Sequence, residues 1–201
     1  LRDDAGQEFG FQVTFFRFAP EATDETGMIS RFFNASQAHM THVAITDVEN
    51  AQYVHRERIN REGWDAGSEI GRLHCWNGNW SLEMTDETPG AETLALSTHM
   101  DASNLIELEL RAMKPHVVFG EDNGLSIKGP DPADRSVYIS FTRLEAEGRI
   151  AVAGREYEVS GTAWMDHEYS SSQLGENMEG WDWTAVQLKD GWEAKAYLLR
   201  E

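Results

Sequence analysis

Cysteine is almost missing from this sequence. Among 201 residues there is one, Cys75, so no intrachain disulfide can form and cysteine usage does not reveal the compartment. Positive charge is scarce too: 17 Lys and Arg stand against 35 Asp and Glu, a formal net charge of -18. Phosphate binding needs clustered Lys and Arg, so a nucleic-acid partner is excluded, and anionic membrane surfaces are disfavoured. No run is long and apolar enough to span a bilayer as a helix. No signal segment is visible, and the chain opens Leu1-Arg2-Asp3-Asp4 without an initiator Met; the expectation is a processed or trimmed chain. No repeat and no low-complexity tract occurs. A Gly-x-Ser-x-Gly elbow, a Gly-rich phosphate loop and a Cys-based zinc spacing are all lacking. The expectation is therefore no metal and no cofactor.

Aromatic residues, by contrast, are plentiful, with 7 Trp and 9 Phe. They can fill a β core, line an apolar pocket, or both. The length suits one large β-barrel or sandwich, or two small domains. Period-two alternation runs through Phe9 to Phe18, His42 to Val48, Trp80 to Thr85, Thr93 to Met100, Leu105 to Met113, Val137 to Leu144, Arg149 to Val152 and Tyr157 to Met165. Turn residues punctuate these runs at Asn77-Gly78, Glu147-Gly148, Ala153-Gly154 and Asp190-Gly191. The last joins WDWTAVQL to WEAKAYLLR and is the strongest hairpin signal. Helix is expected to be scant. Ala51 to Arg61 fits a short surface helix or a polar strand, Glu25 to Phe33 holds at most one turn, and Phe119 to Arg135 reads as a long Gly/Asp/Pro-rich loop. The expected fold class is all-β, an antiparallel barrel or sandwich.

Five ordered blocks carry a resemblance. They are FGFQVTFFR (Phe9 to Arg17), HMTHVAITDV (His39 to Val48), Lys114-Pro115 with Phe119-Gly120 and SVYISFTRL (Ser136 to Leu144), GREYEVSGTAWMDHEYSS (Gly154 to Ser172), and GWDWTAVQLKDGWEAKAYLLR (Gly180 to Arg200). Together they resemble the family of hydroxyneurosporene synthase (carotenoid 1,2-hydratase) and the AttH-like proteins, over nearly the whole chain. The resemblance implies a lipocalin-like β fold, usually two such domains in tandem. On that pattern residues 1–201 are one lipocalin-like domain, mostly the first, with an N-terminal strand and the second domain missing. It also implies a hydrophobic small molecule as substrate or ligand, a second lipocalin-like domain or another copy as partner, and an extracytoplasmic location. Activities in such a family range from water addition to a terminal double bond, through polyene cyclisation and lipid binding, to proteins labelled secreted hydrolases.

Candidate site residues follow from strand geometry. In Trp164-Met165-Asp166-His167-Glu168, Trp164, Asp166 and Glu168 share one face of a strand, with Met165 and His167 on the other. An Asp in an aromatic wall is desolvated, which favours its protonated form and makes it a general acid. The same residue can instead fix the strand end by a buried hydrogen bond. In Trp181-Asp182-Trp183 the Asp faces away from both indoles, and an Asp mid-strand is disfavoured, so Asp182 is a second acid/base candidate or a partner for Arg17 or another strand's Arg. His42 is a candidate orienting group at a pocket rim, with Asp47 as its partner or a turn residue. His39 and His42 would suit a metal only on a helix, the weaker reading. Arg17 either pairs inward with Asp166 or Asp182 or ends its strand in solvent. Trp164, Trp181, Arg17, Tyr138 and His167 are the substrate-contact candidates, and Phe141 is expected in the core. Ser170-Ser171-Ser172 reads as loop, and Cys75 as a small hydrophobe. The functional expectation is acid/base chemistry on a polyene or isoprenoid molecule in a barrel pocket, of hydratase or cyclase type. A non-catalytic lipid or terpenoid carrier and a hydrolase are the alternatives.

Overall fold

Residues 1–18, 37–120, 124–128, 134–170 and 178–200 are described by a computed structural model. Every regular element among them is a β-strand. These are β1 (Arg2–Asp3), β2 (Phe9–Phe18), β3 (Ala38–Asp47), β4 (Gln52–Arg61), β5 (Ala66–Ser68), β6 (His74–Asn77), β7 (Trp80–Asp86), β8 (Thr93–Asp101), β9 (Asn104–Ala112), β10 (Val117–Phe119), β11 (Leu125–Ile127), β12 (Arg135–Val152), β13 (Arg155–Ser170), β14 (Gly180–Gln187) and β15 (Glu193–Arg200). The expected all-β antiparallel class is observed. No helix of the described residues is long and apolar enough to cross a membrane.

The chain divides into two compact units. The first comprises Leu1–Glu87, Glu92–Arg111 and Ala146–Gly161, the second Thr88–Ala91, Ala112–Glu145 and Thr162–Glu201. In the first, β2, β3 and β4 form a three-stranded antiparallel sheet, and β5 to β9 form a meander. Alternation decides which side is covered: His39, Thr41, Val43, Ile45 and Asp47 of β3 are all buried. The core includes Val43, Ile45, Trp80, Leu94, Ile106, Ile150 and Val152, each almost wholly excluded from water. Each such side chain contributes about 1.5–3 kcal/mol relative to exposure. One polar hub sits among them. The fully buried Asn77 donates through Nδ2 to Thr41 Oγ1 at 3.1 Å and the Arg58 carbonyl at 3.1 Å, and accepts from Asn60 Nδ2 at 2.7 Å. Arg58 covers the Trp80 ring at 4.0 Å.

Two sequence expectations change, and one left open is settled. Of the two readings of Ala51 to Arg61, the polar strand is observed. Residues 52–61 pair with β3 throughout, from Gln52 opposite Asp47 to Arg61 opposite Ala38, and that ladder outweighs near-helical charge spacing. Asp47 is the turn residue here, accepting from the Asn50 amide at 3.1 Å and from Asn50 Nδ2 at 2.8 Å. Glu147-Gly148 does not separate two strands, because β12 runs through it. Gly148 has φ +147, and a Cβ there would lie 2.2 Å from the Glu107 carbonyl oxygen. The glycine serves close approach of β9, not a turn. Within Phe119 to Arg135, residues 125–127 form β11 against β12. The helical turn expected over Glu25 to Phe33 lies outside the described residues. Asn77-Gly78 and Asp190-Gly191 close hairpins as expected.

Two consequences are measurable. Burial lowers the His39 pKa, with Glu62 opposing and Arg17 reinforcing the shift. The unfolded chain takes up a proton near pH 6.5, whereas the folded chain resists it. Stability is therefore fully present above that pH and falls as the pH drops through it, before the buried-face carboxylates Asp47 and Glu193, both held below the usual carboxylate range, begin to titrate. Urea midpoints at pH 7 and pH 5.5 should differ for the native chain, and the difference should shrink in His39→Gln. Separately, burial pushes the Cys75 thiol up to about 12, so a thiol reagent should modify it in urea and leave it largely unmodified in buffer.

Candidate functional site

The second unit gathers charge and aromatic rings on one side of β12 and β13. Ser136, Tyr138, Ser140 and Thr142 alternate onto the buried face of β12. Phe119 of β10 stands opposite Tyr138 in register, its ring edge-on at 5.9 Å. Trp164, Asp166 and Glu168 occupy alternate positions of β13. The hairpin β14–β15 presents Trp183, opposite Tyr197, and Lys195, opposite Ala185. At the junction three donors meet Asp166 Oδ1: the Ser140 hydroxyl, the Trp164 indole N–H at 3.0 Å and the Lys195 ammonium at 3.3 Å.

Lys195 is the centre of this cluster. Its side chain is 8% exposed. Nζ lies 3.3 Å from the Tyr138 ring centroid, 4.5 Å from that of Phe119 and 6.0 Å from that of Trp183. A second lysine repeats the arrangement. Lys128, 5% exposed, sits 4.0 Å over the Tyr197 ring and 5.3 Å from that of Tyr138, and pairs with Glu168 at 2.9 Å. Each buried cation thus has one carboxylate and aromatic faces, the two things that compensate lost water. Burial lowers the Lys195 pKa, with Asp166 opposing and Lys128 reinforcing. Burial raises that of Tyr138, reinforced by the charge of Asp166 and a hydrogen bond to it, while a hydrogen bond from Trp183 opposes. Tyr138 therefore keeps its proton throughout the neutral range and is a donor.

The residues expected from sequence separate into two groups. Asp166, Trp164 and Tyr138 come together as described. Asp182 points away from both indoles, as strand geometry requires. It is 64% exposed, and its carboxylate faces Arg200 Nε at 3.5 Å. Trp181 shares the face of Trp183 and is half-exposed. His167 lies on the opposite side of β13 from Asp166, against Tyr169 at 4.2 Å between rings, and burial lowers its pKa. His42 and Arg17 belong to the first unit. There His42 packs on Phe16 at 5.3 Å and His55 at 5.9 Å, with Glu57 at 3.8 Å, and Arg17 hydrogen-bonds Gln37. His39 and His42 stand three apart on a strand, so they face opposite sides. Among the described residues no group of His, Cys, Asp and Glu is arranged to hold a metal ion.

Against known proteins, the AttH-like family model matches residues 1–201. The chain belongs to the AttH-like family. A solved structure assigned as AttH, from Nitrosomonas europaea, shares 30% identity over 99% of this chain and 57% of its own, with TM-score 0.81. Kievitone hydratase from Nectria haematococca shares 11% identity over 98% of this chain and 58% of its own, with TM-score 0.67, a likeness of fold. This chain spans little more than half the length of either. No curated protein matches it.

Lys114-Pro115, one of the landmarks that carried the resemblance, has a role in holding the hairpin. Glu193 of β15, 9% exposed, accepts from Lys114 Nζ at 2.6 Å and from Arg143 Nε at 2.6 Å. Arg143 also donates to the Leu188 carbonyl at 2.9 Å. Gln187 of β14 donates to the carbonyls of Thr142 at 2.8 Å and Ala163 at 2.9 Å. Replacing Glu193 by Gln leaves two cations facing a neutral amide, and breaking a buried pair in this way costs about 3 kcal/mol. Urea titration of Glu193→Gln should show that loss, and an unchanged midpoint would mean the hairpin is held by other contacts.

Proposed function

We propose that the protein is a hydratase-type enzyme that adds water to, or removes it from, a carbon–carbon double bond of a hydrophobic small molecule. The observation that carries this reading is the placement of Asp166 on one face with Trp164, Tyr138 and Trp183 about it and three donors on a single carboxylate oxygen. Asp166 is then the proton-transfer group. In hydration one alkene carbon gains a proton, the other forms a bond to a water oxygen, and that water gives up a proton; the Asp166 carboxylate takes up a proton, passes it to carbon and recovers one from the water, so the reaction balances. Tyr138, whose proton is firmly held, donates a hydrogen bond to the oxygen being added or expelled. Aromatic faces steady positive charge developing on the substrate carbon. The name of the fungal fold neighbour, kievitone hydratase, supports the reaction class. Family resemblance supports a polyene or isoprenoid substrate, with cyclisation as the variant that adds no water. Ser140, although 3.5 Å from Lys195 Nζ, is fully buried and gives its hydrogen to Asp166, an arrangement that favours a positioning role over nucleophilic attack.

The test is incubation with a panel of isoprenoid and aryl olefins in heavy-oxygen water. A hydratase places the label in its product. Asp166→Asn should lower that turnover by roughly 10²–10⁴-fold, the usual contribution of a positioned acid/base, and Tyr138→Phe should lower it while leaving the thermal midpoint near its native value. Full turnover in Asp166→Asn would remove the assignment. Unlabelled cyclic product would select cyclisation, and an intact lipid recovered unchanged would select the carrier.

A further inference from the structure

The hydration reading gives the most unusual group of the second unit no chemical step of its own. Lys195 is a primary amine almost wholly withdrawn from water. It is ringed by Tyr138, Phe119 and Trp183, and its immediate polar neighbours are the Asp166 carboxylate at 3.3 Å and the Ser140 hydroxyl at 3.5 Å. A second cation, Lys128, shares the Tyr138 ring with it. We infer that Lys195 is a carbonyl-capturing amine, which forms a Schiff base with hydrophobic aldehydes that enter between the aromatic side chains.

Four features point there. A lysine that is desolvated and lies close to another cation is the arrangement that favours the free amine, and the direction of the Lys195 pKa, lowered by burial against the opposing Asp166 with Lys128 adding to it, agrees with that arrangement. The carboxylate beside Nζ can take the proton the amine must lose before attack. The same carboxylate then serves as counter-ion to the iminium, which has the charge of the ammonium it replaces. Finally, of the rings around the amine Trp183 is only about half-covered, so the amine is approached from that side, past an aromatic face that selects an apolar or conjugated carbonyl. The step balances without any other reagent. The Nζ lone pair forms the carbon–nitrogen bond, the carbonyl π pair moves to oxygen, and that oxygen leaves as water once it has two protons. One of these comes from the amine nitrogen, and the other is returned by Asp166 or solvent. A carbon–nitrogen double bond remains.

The experiment uses the full chain, cinnamaldehyde as probe and cyanoborohydride to fix any imine as a secondary amine, followed by intact mass and peptide mapping. The expected result is one adduct, of the aldehyde mass less one water plus two hydrogens, on the peptide holding Lys195. Labelling there should exceed that at the hairpin-turn Lys189 by roughly tenfold, since the aromatic rings hold the aldehyde beside Lys195 and Asp166 can take its proton. Lys195→Arg, which keeps a cation beside Asp166, should lose the adduct while retaining the native circular dichroism spectrum. Labelling spread evenly over the lysines, or a full adduct in Lys195→Arg, overturns the inference. The native-chain map decides the matter even if the variant fails to fold. Because it reads bond formation and not turnover, its failure leaves the hydration reading standing, and the reverse also holds.

Discussion

A carboxylate that is nine-tenths withdrawn from water needs cations on it, and Glu193 has two. Much of the candidate site follows from that requirement. Lys114 and Arg143 fix Glu193, and Gln187 bonds two backbone carbonyls, which settles where the hairpin β14–β15 lies against β12 and β13. Two residues along from Glu193, on the same face, is Lys195, and two further is Tyr197. Lys195 thereby comes down on Asp166 and Tyr197 on Lys128. The site is thus assembled by ionic pairing in a low-polarity setting. Such pairing tolerates little change of register, since a one-residue slip would turn every one of these groups to the other face.

The strand pattern was legible because alternation and turn residues acted together, as at Asp190-Gly191, and failed where one signal stood alone. Gly148 looked like a turn because glycines usually mark one, yet its reason is the approach of a neighbouring backbone, which no local reading detects. Residues 52–61 looked ambiguous because their charges fit two periods, and only pairing with β3 resolves them. At the site, Asp166, Trp164 and Tyr138 were legible because each stands in an aromatic, alternating context. Lys195 and Lys128 were not. In WEAKAYLLR the residues Trp192, Ala194, Ala196 and Leu198 look like the inward face, which would leave Lys195 in solvent. The structure inverts this: Trp192 and Leu198 are exposed, and Glu193 and Lys195 are covered. Ionic partners from distant strands outweigh local apolarity there, and a single strand does not announce its partners.

The two units handle burial of polar groups differently. In the first, the fully buried Asn77 is neutral and satisfied by backbone and side-chain groups of β3 and β4, and the buried Asp47 carboxylate is held by Asn50. A neutral hub of this kind specifies pairing at small electrostatic cost. In the second, two buried cations are each paired with a carboxylate, Lys195 with Asp166 and Lys128 with Glu168, beside neutral buried hydroxyls such as that of Ser140. Charged pairs are a poor means of gaining stability and a good means of shifting proton affinity.

The distribution of tryptophan makes the molecule its own optical reporter. Trp80 is sealed in the core of the first unit, Trp64 is fully exposed, and three indoles, Trp181, Trp183 and Trp192, ride on the β14–β15 hairpin. A soluble quencher would reach Trp64 and Trp192 first and Trp80 last. Trp183, with the ammonium of Lys195 beside it, would change its emission whenever that charge moves or is masked. Occupancy of the aromatic cluster could therefore be followed by intrinsic fluorescence, without an attached dye.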